Sequence, residues 1–461
     1  AMMYIDNEVL EKMIMTIVEG FDRIEKKLDR MGRVKEFLNG DELLDNYDIA
    51  RLLNVSLRTV ARYREKGLIR YYQTDENGKE YIDFFCGSGA LNYGHNNPYI
   101  KEKVVEYLQN DGVMHALDMY TKPKREFIEY FENEVIRPRG FDYKIQFVGP
   151  TGTNAVEAAL KLARKVKKRN NVFALMGAFH GMTLGSLALT TNADSRKGAG
   201  VPLYNVTHIP APYMFPELDT VAYMERLITD DHSGVEKPAA IILETTQADG
   251  GIYVLPDEWL RRVRALCDKY DILMIVDDVQ VGASRTGWFF SFERAGITPD
   301  IVTLSKSIGG YGMPFALTLL RPELDQWKPG EHNGTFRGYQ LSLVAAKAGL
   351  EFMLNEHVED AVRERAPFVE KFLKENIETI DSRITTRGIG LLWGVDFGAF
   401  EGDVAKAVIH KAFENGLIVE RVGRRDSVVK IMPELKVPMD TLEKGLNILA
   451  KSIREVVGEL K

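Results

Sequence analysis

The stretch from Asp271 to Met313 constrains the fold more than any other. It reads DILMIVDDVQVGASRTG and, after a short gap, DIVTLSKSIGGYGMP. Ile272 to Val276 is an unbroken apolar run, the pattern of a strand buried on both faces of a parallel sheet. It stops abruptly at Asp277 and Asp278. Ile301 to Leu304 is a second such run, ending in Ser305, Lys306, Ser307 and a Gly-Gly pair. Ligands of open α/β sheets bind beyond the carboxyl ends of the strands, so both polar clusters point at one crevice.

A carboxylate and a lysine delivered to one crevice suit pyridoxal phosphate. The lysine amine can form a Schiff base with its aldehyde, and the carboxylate can keep its pyridine nitrogen protonated, making the ring an electron sink. From these two segments alone, a buried Asp–Lys ion pair at a strand end is an equally good reading.

Further segments favour a large α/β protein. After Phe141, strands and helices alternate: Ile145–Val148, then GPTGTN and a helix through Glu157 and Lys161; Val172–Met176, then Ala178-Phe179-His180-Gly181; Ala239–Leu243, then Glu244-Thr245-Thr246-Gln247. Such alternation predicts a mainly parallel sheet flanked by helices. From about Ile380 the strands Leu391–Val395 and Val428–Met432 and a helix from Asp440 predict a smaller α+β domain. With 461 residues, several domains are expected. The boundaries read as an amphipathic helix over 1–39, a helix-turn-helix-like module over 40–72, the first part of the small domain with its connection over 73–140, the large domain over 141–379 and the C-terminal small domain over 380–461.

The front differs in character. Leu10, Met13, Ile14, Ile17, Val18, Phe21, Ile24, Leu28 and Met31 fall at helical spacing. Residues 46–70 then read as two short helices around Asn54-Val55, the second capped by Ser56 and turning Arg58, Arg62 and Arg64 outward. This resembles the helix-turn-helix of excisionase-like DNA-binding proteins, and a small helical packing module fits the same pattern. Basic and acidic residues balance over 1–72, so any DNA affinity would come from one face. Asn77-Gly78 reads as a hairpin turn, with a second strand from Glu80.

The net charge of −7 argues against broad nucleic-acid or membrane-surface binding by the whole molecule. Two cysteines, Cys86 and Cys267, make neither a disulfide framework nor a metal cluster, so a cytoplasmic location and no metal are expected. No apolar run is long enough to span a membrane.

Single motifs are weak. GPTGTN puts the amides of Gly152 and Thr153 at a helix start, where they can meet a phosphate; it lacks the lysine of a P-loop. Phe179 could stack on a flat cofactor, and Thr335 in HNGTFRG could reach a phosphate. In combination and in this order, YIDFFCGSGALNYGHNNP, PTGTNAVEAALKLAR, AFHGMT, ETTQADGG, VDDVQVGASRTG, LSKSIGG, NGTFRG and TRGIGLLWGVD resemble the class III, ω-amino-acid aminotransferases of fold type I. The resemblance runs from about Gly78 to the C-terminus. It implies pyridoxal 5'-phosphate as cofactor, Lys306 as the Schiff-base lysine and Asp277 as the pyridinium partner. Gln280 would lie near the ring hydroxyl, Gly152 and Thr153 in the phosphate cup, and Phe179, with His180 beside it, against the ring. Thr335 would serve the neighbouring subunit, which implies a homodimer with shared sites. DFFCGSGALNYGHNNP, HALDMYT and VVKIMPEL resemble a narrower group, the diaminobutyrate–2-oxoglutarate aminotransferases of ectoine biosynthesis. Their reaction joins an amino acid and an oxo acid: glutamate gives its amino group to C4 of aspartate 4-semialdehyde.

Two departures bear on substrate binding. Lys430 stands where most class III enzymes have an arginine for the glutamate carboxylate, and offers a point charge instead of a bidentate fork. Asp249 stands where the class has a glutamate that masks that arginine. Glu244 joins these two as a candidate substrate contact. Other aminotransferases of ornithine, acetylornithine or 4-aminobutyrate would keep the same cofactor chemistry. A reading of another class is a helix-turn-helix regulator whose aminotransferase-like part only senses pyridoxal phosphate.

Overall fold

A computed structural model describes residues 80–460 of the chain. The amphipathic helix, the helix-turn-helix segment and the Asn77-Gly78 turn lie outside the described residues. From Tyr81 onward the chain forms one compact unit.

The strands follow in chain order as β1 (Ile82–Asp83), β2 (Lys144–Phe147), β3 (Val172–Leu175), β4 (Val206–Ile209), β5 (Ala240–Leu243), β6 (Thr246–Gln247), β7 (Tyr253–Val254), β8 (Leu273–Asp277), β9 (Ile301–Leu304) and β10 (Leu317–Leu320). Seven of them form the central sheet in the order β2-β10-β9-β8-β5-β3-β4. From β9 to β4 every pairing is parallel, and β10 runs antiparallel to both its neighbours. All residues of β3, β5, β8, β9 and β10 are buried, while the edge strands β2 and β4 are partly exposed. That burial explains the unbroken apolar runs: both faces of an inner strand meet helices.

The alternation of strand side chains sorts the core into two layers. Phe173, Leu175, Ile241, Leu243, Met274 and Val276 join the larger apolar cluster on one face. Val172, Ala174, Ala240, Ile242, Leu273 and Ile275 join a second on the other, where the helix Gly152–Lys167 supplies Val156, Ala159, Leu160 and Ala163.

The C-terminal part adds β11 (Thr385–Ile389), β12 (Leu392–Asp396), β13 (Leu417–Ile418), β14 (Glu420–Val422) and β15 (Val428–Ile431). β11, β12, β15 and β14 form an antiparallel sheet in that order. The helices Val404–Glu414 and Met439–Gly458 follow the same α+β pattern. The strand expected from Glu80 appears as β1, paired in parallel with β13, so this early segment is built into the C-terminal part. β4 and β10 were not among the expected strands: β4 is a half-buried edge, and the run after Met313 carries no sign of antiparallel pairing.

Candidate active site

The carboxyl ends of the parallel strands converge on one cavity of about 160 Å³, lined by Gly152, Thr153, Phe179, His180, Gly181, Glu244, Asp249, Asp277, Val279, Gln280, Val281 and Lys306.

Asp277 closes β8 and is buried. Its Oδ1 accepts hydrogen bonds from the Val279 amide and from Thr303 Oγ1, both at 3.1 Å, and its Oδ2 lies 2.7 Å from His180 Nδ1. Thr303 sits opposite Asp277 in the β8–β9 register, so sheet pairing places that contact. The far nitrogen of His180, Nε2, is buried with no protein partner among the described residues. A carboxylate held at three points with a histidine behind it is oriented to face one further group.

Asp278, one residue on, turns away. It accepts from the amide of Ser291 at 2.9 Å and from the Ser291 hydroxyl. Burial pushes its carboxyl up to about 7.

Lys306 follows β9 at φ +55°, a left-handed conformation that costs energy for a residue with a Cβ. Neighbouring contacts hold that turn. Ser307 Oγ donates to the Gly89 carbonyl at 2.5 Å and accepts from the Asn92 amide at 3.2 Å. Asn92 Oδ1 in turn accepts from the fully buried Arg285, 2.5 Å away. Burial drives the Lys306 amine below its ordinary range, against the pull of the Asp249 carboxylate. A larger neutral fraction is what a nucleophilic amine needs.

At the opposite wall, Gly152 and Thr153 open the helix Gly152–Lys167, whose first-turn amides have no acceptor within the helix. A Cβ on Gly152 would come within 2.8 Å of Val279, and one on Gly181, at φ +123°, within 2.5 Å of Thr153 Oγ1. Both glycines therefore let Val279 and Thr153 pack closely at the start of this helix, where free amides can meet an anion. Phe179 is half-buried, and its amide donates to Glu244 Oε1 at 3.1 Å. Glu244 Oε2 accepts from the Ala248 amide at 3.2 Å. Burial, with the nearby Asp277 charge adding to it, raises the Glu244 carboxyl well above its usual range.

Ten of the eleven residues marked in the sequence therefore meet in or beside this cavity. Lys430 stands just behind the lining, wholly buried, and its Nζ donates to Gln280 Oε1 at 3.2 Å. Thr335 is the exception: it is exposed and does not line the cavity of its own chain. Sequence reading passed over Thr303, Arg285 and Glu420; Thr303 is singled out only by the β8–β9 register that sets it against Asp277.

Pyridoxal phosphate fits this donor set. Lys306, Asp277, the amides of Gly152 and Thr153, and the Phe179 ring are the residues that would hold it.

The sequence profile of Aminotransferase class-III matches residues 57–453. The match begins inside the second of the two short helices expected over residues 46–70, and the helix-turn-helix module finds no support in it. The chain is 51% identical over 388 residues to the diaminobutyrate–2-oxoglutarate transaminase of Streptomyces coelicolor, covering 83% of this chain and 90% of the relative. It is 47% identical over 421 residues to that of Sporosarcina pasteurii, covering 91% and 98%. The ornithine aminotransferase of Toxoplasma gondii shares the fold at 24% identity, with a TM-score of 0.77 over 92% of this chain and 99% of that one. The sheet order, the lysine and carboxylate at adjacent strand ends and the profile over most of the chain agree: this chain belongs to the class III aminotransferases and is a pyridoxal-phosphate-dependent enzyme.

Proposed function

We propose that the enzyme exchanges an amino group between L-glutamate and C4 of L-aspartate 4-semialdehyde, giving 2-oxoglutarate and L-2,4-diaminobutyrate. The observation that carries the substrate assignment is identity near one half, over more than four-fifths of the chain, to relatives that bear this reaction in their names. The cavity supports it with the groups the chemistry needs.

When bound, pyridoxal phosphate supplies an aldehyde for the lysine and a ring that withdraws electrons from the substrate carbon. Asp277, fixed by Val279, Thr303 and His180, would hold a proton at the ring nitrogen. Lys306, with its lowered proton affinity, would hold the aldehyde end and move a proton at the reacting carbon. Gly152 and Thr153 would hold the phosphate end, and Phe179 would face the ring.

A homodimer with shared sites belongs to the same proposal. Thr335 is exposed and outside its own cavity, so a role at a phosphate requires a second chain. Tyr120, Met119 and Phe336 are exposed large side chains, with Tyr120 at 99%. Burying them against a copy would remove apolar surface from water.

The test is steady-state turnover with 2-oxoglutarate as acceptor and L-2,4-diaminobutyrate, L-ornithine or 4-aminobutyrate as donor. The expected result is the highest kcat/KM with diaminobutyrate. Preference for either of the others would contradict the substrate assignment and leave the family in place. Among the described residues no helix is long and apolar enough to cross a membrane.

A further inference from the structure

The β14–β15 pairing sets Glu420 directly opposite Lys430. Directly opposite residues project on the same face of a sheet. Lys430 Nζ lies 2.6 Å from Glu420 Oε1 and 3.4 Å from Asp249 Oδ1. Glu420 is itself fixed, because Ser88 Oγ donates to its Oε1 at 3.0 Å. Burial works against the Lys430 charge, but Asp249 and Glu420 outweigh it and hold the amine above its ordinary range. Lys430 and Lys306 in turn keep Asp249 below the usual carboxylate range despite its burial. Two carboxylates thus face one lysine, and the trio is net negative. If Asp249 swings away, Glu420 still neutralises Lys430. A substrate carboxylate brought to Lys430 would meet Glu420 first.

The cavity continues into a wider cleft through Phe179 and Asp249, which line both. Glu420 and Arg424 also line this cleft. The Gly423 amide donates to the Asp249 carbonyl at 2.9 Å and ties its two lips together. The Arg424 guanidinium lies 5.6 Å from the centre of the Tyr213 ring, with Nη1 3.5 Å from the Tyr213 hydroxyl and Nη2 3.3 Å from Met214 Sδ, and is in no ion pair among the described residues. Tyr213 is held from behind, stacked on Tyr253 at 3.7 Å and donating to Gln247 Oε1 at 2.6 Å. One edge of the cleft is therefore acidic and the other carries an available cation.

We infer that this cleft reads the α-amino-acid end of a diamino acid, with Asp249 and Glu420 facing its α-ammonium and Arg424 its α-carboxylate while the distal amine reaches Lys306. The inference rests on the proposed reaction and names its specificity residues. An ω-amino acid without an α-ammonium offers the acidic edge nothing, whereas a diamino acid matches both edges.

The test compares wild type with Glu420→Gln, Glu420→Asp and Arg424→Met on two donors, L-2,4-diaminobutyrate and 4-aminobutyrate, with cofactor binding followed by visible absorbance. Glu420→Gln should raise KM for diaminobutyrate about tenfold or more, leave cofactor affinity unchanged and shift the kcat/KM ratio toward 4-aminobutyrate. Glu420→Asp should recover part of the preference. Arg424→Met should weaken both donors, since both carry a carboxylate. An equal loss on both donors in Glu420→Gln would reduce Glu420 to a support for Lys430 and overturn the inference. Unchanged kinetics in Arg424→Met would overturn it as well. Wild type that uses 4-aminobutyrate but not diaminobutyrate would overturn the proposed reaction and this reading together, whereas intact diaminobutyrate turnover with an unaltered preference in Glu420→Gln would sink this reading alone.

Discussion

At the scale of single residues, Asp277 and Lys306 were legible because each closely follows a strand of mostly apolar residues, and together they place a carboxylate and an amine at neighbouring strand ends. What fixes them was not legible. Thr303 looks like one more strand residue until the β8–β9 register sets it against Asp277. Replacing Thr303 by Val removes one hydrogen bond to a charged carboxylate, and the cost should be about 1.5–3 kcal/mol in the stability of that arrangement. The expected readout is a drop in kcat with KM for amino donors little changed. Asp278 gives a prediction with a sign. Its folded-state carboxyl titrates near 7, above the ordinary carboxylate value near 4. Between these values the folded chain binds a proton that the unfolded chain has released. The contribution of Asp278 to stability is therefore full below about pH 4, and is lost as pH rises toward 7. Urea unfolding at pH 5 and pH 8 should show a smaller loss for Asp278→Asn than for wild type.

Elements carry the next level of the account. The inner strands announced themselves by continuous apolarity, but β4 and β10 did not, since neither an edge position nor antiparallel pairing leaves a mark in a four-residue run. Lys430 was marked in the sequence while Glu420 was passed over, because their pairing depends on the turn at Arg424–Asp426 that brings β14 back onto β15. The Lys306 turn shows how packing sets a functional residue. Gly310, at φ +69°, faces the backbone of the helix Gln340–Asn355 at Ala345, and a Cβ on Gly349 of that helix would come within 2.8 Å of the Gly310 Cα. Only two glycines allow the turn and the helix to approach so closely. Gly310→Ala should destabilise the protein by about 1–3 kcal/mol, visible as a lower Tm. It should also lower activity at temperatures where the variant is still folded, because the Lys306 turn is displaced.

For the whole molecule, the sheet order and the crevice at its carboxyl edge follow from the alternation of apolar runs and helices, and the family profile over residues 57–453 agrees. Contacts between chains leave no comparable trace in the residues of one chain. Thr335 could be marked only by resemblance; it is exposed and outside the cavity of its own chain, so its proposed role would need a second chain. Light scattering should give a dimer, and Thr335→Ala should weaken pyridoxal phosphate binding about tenfold or more, as expected for loss of a hydrogen bond to a charged group. The most direct measurement is the visible absorbance of the purified, cofactor-loaded protein during a half-reaction, with Lys306→Ala as control. The account predicts a band that bleaches on adding L-2,4-diaminobutyrate, returns on adding 2-oxoglutarate, and does neither in Lys306→Ala. A band that diaminobutyrate leaves untouched, or a cycle that survives in Lys306→Ala, would contradict it.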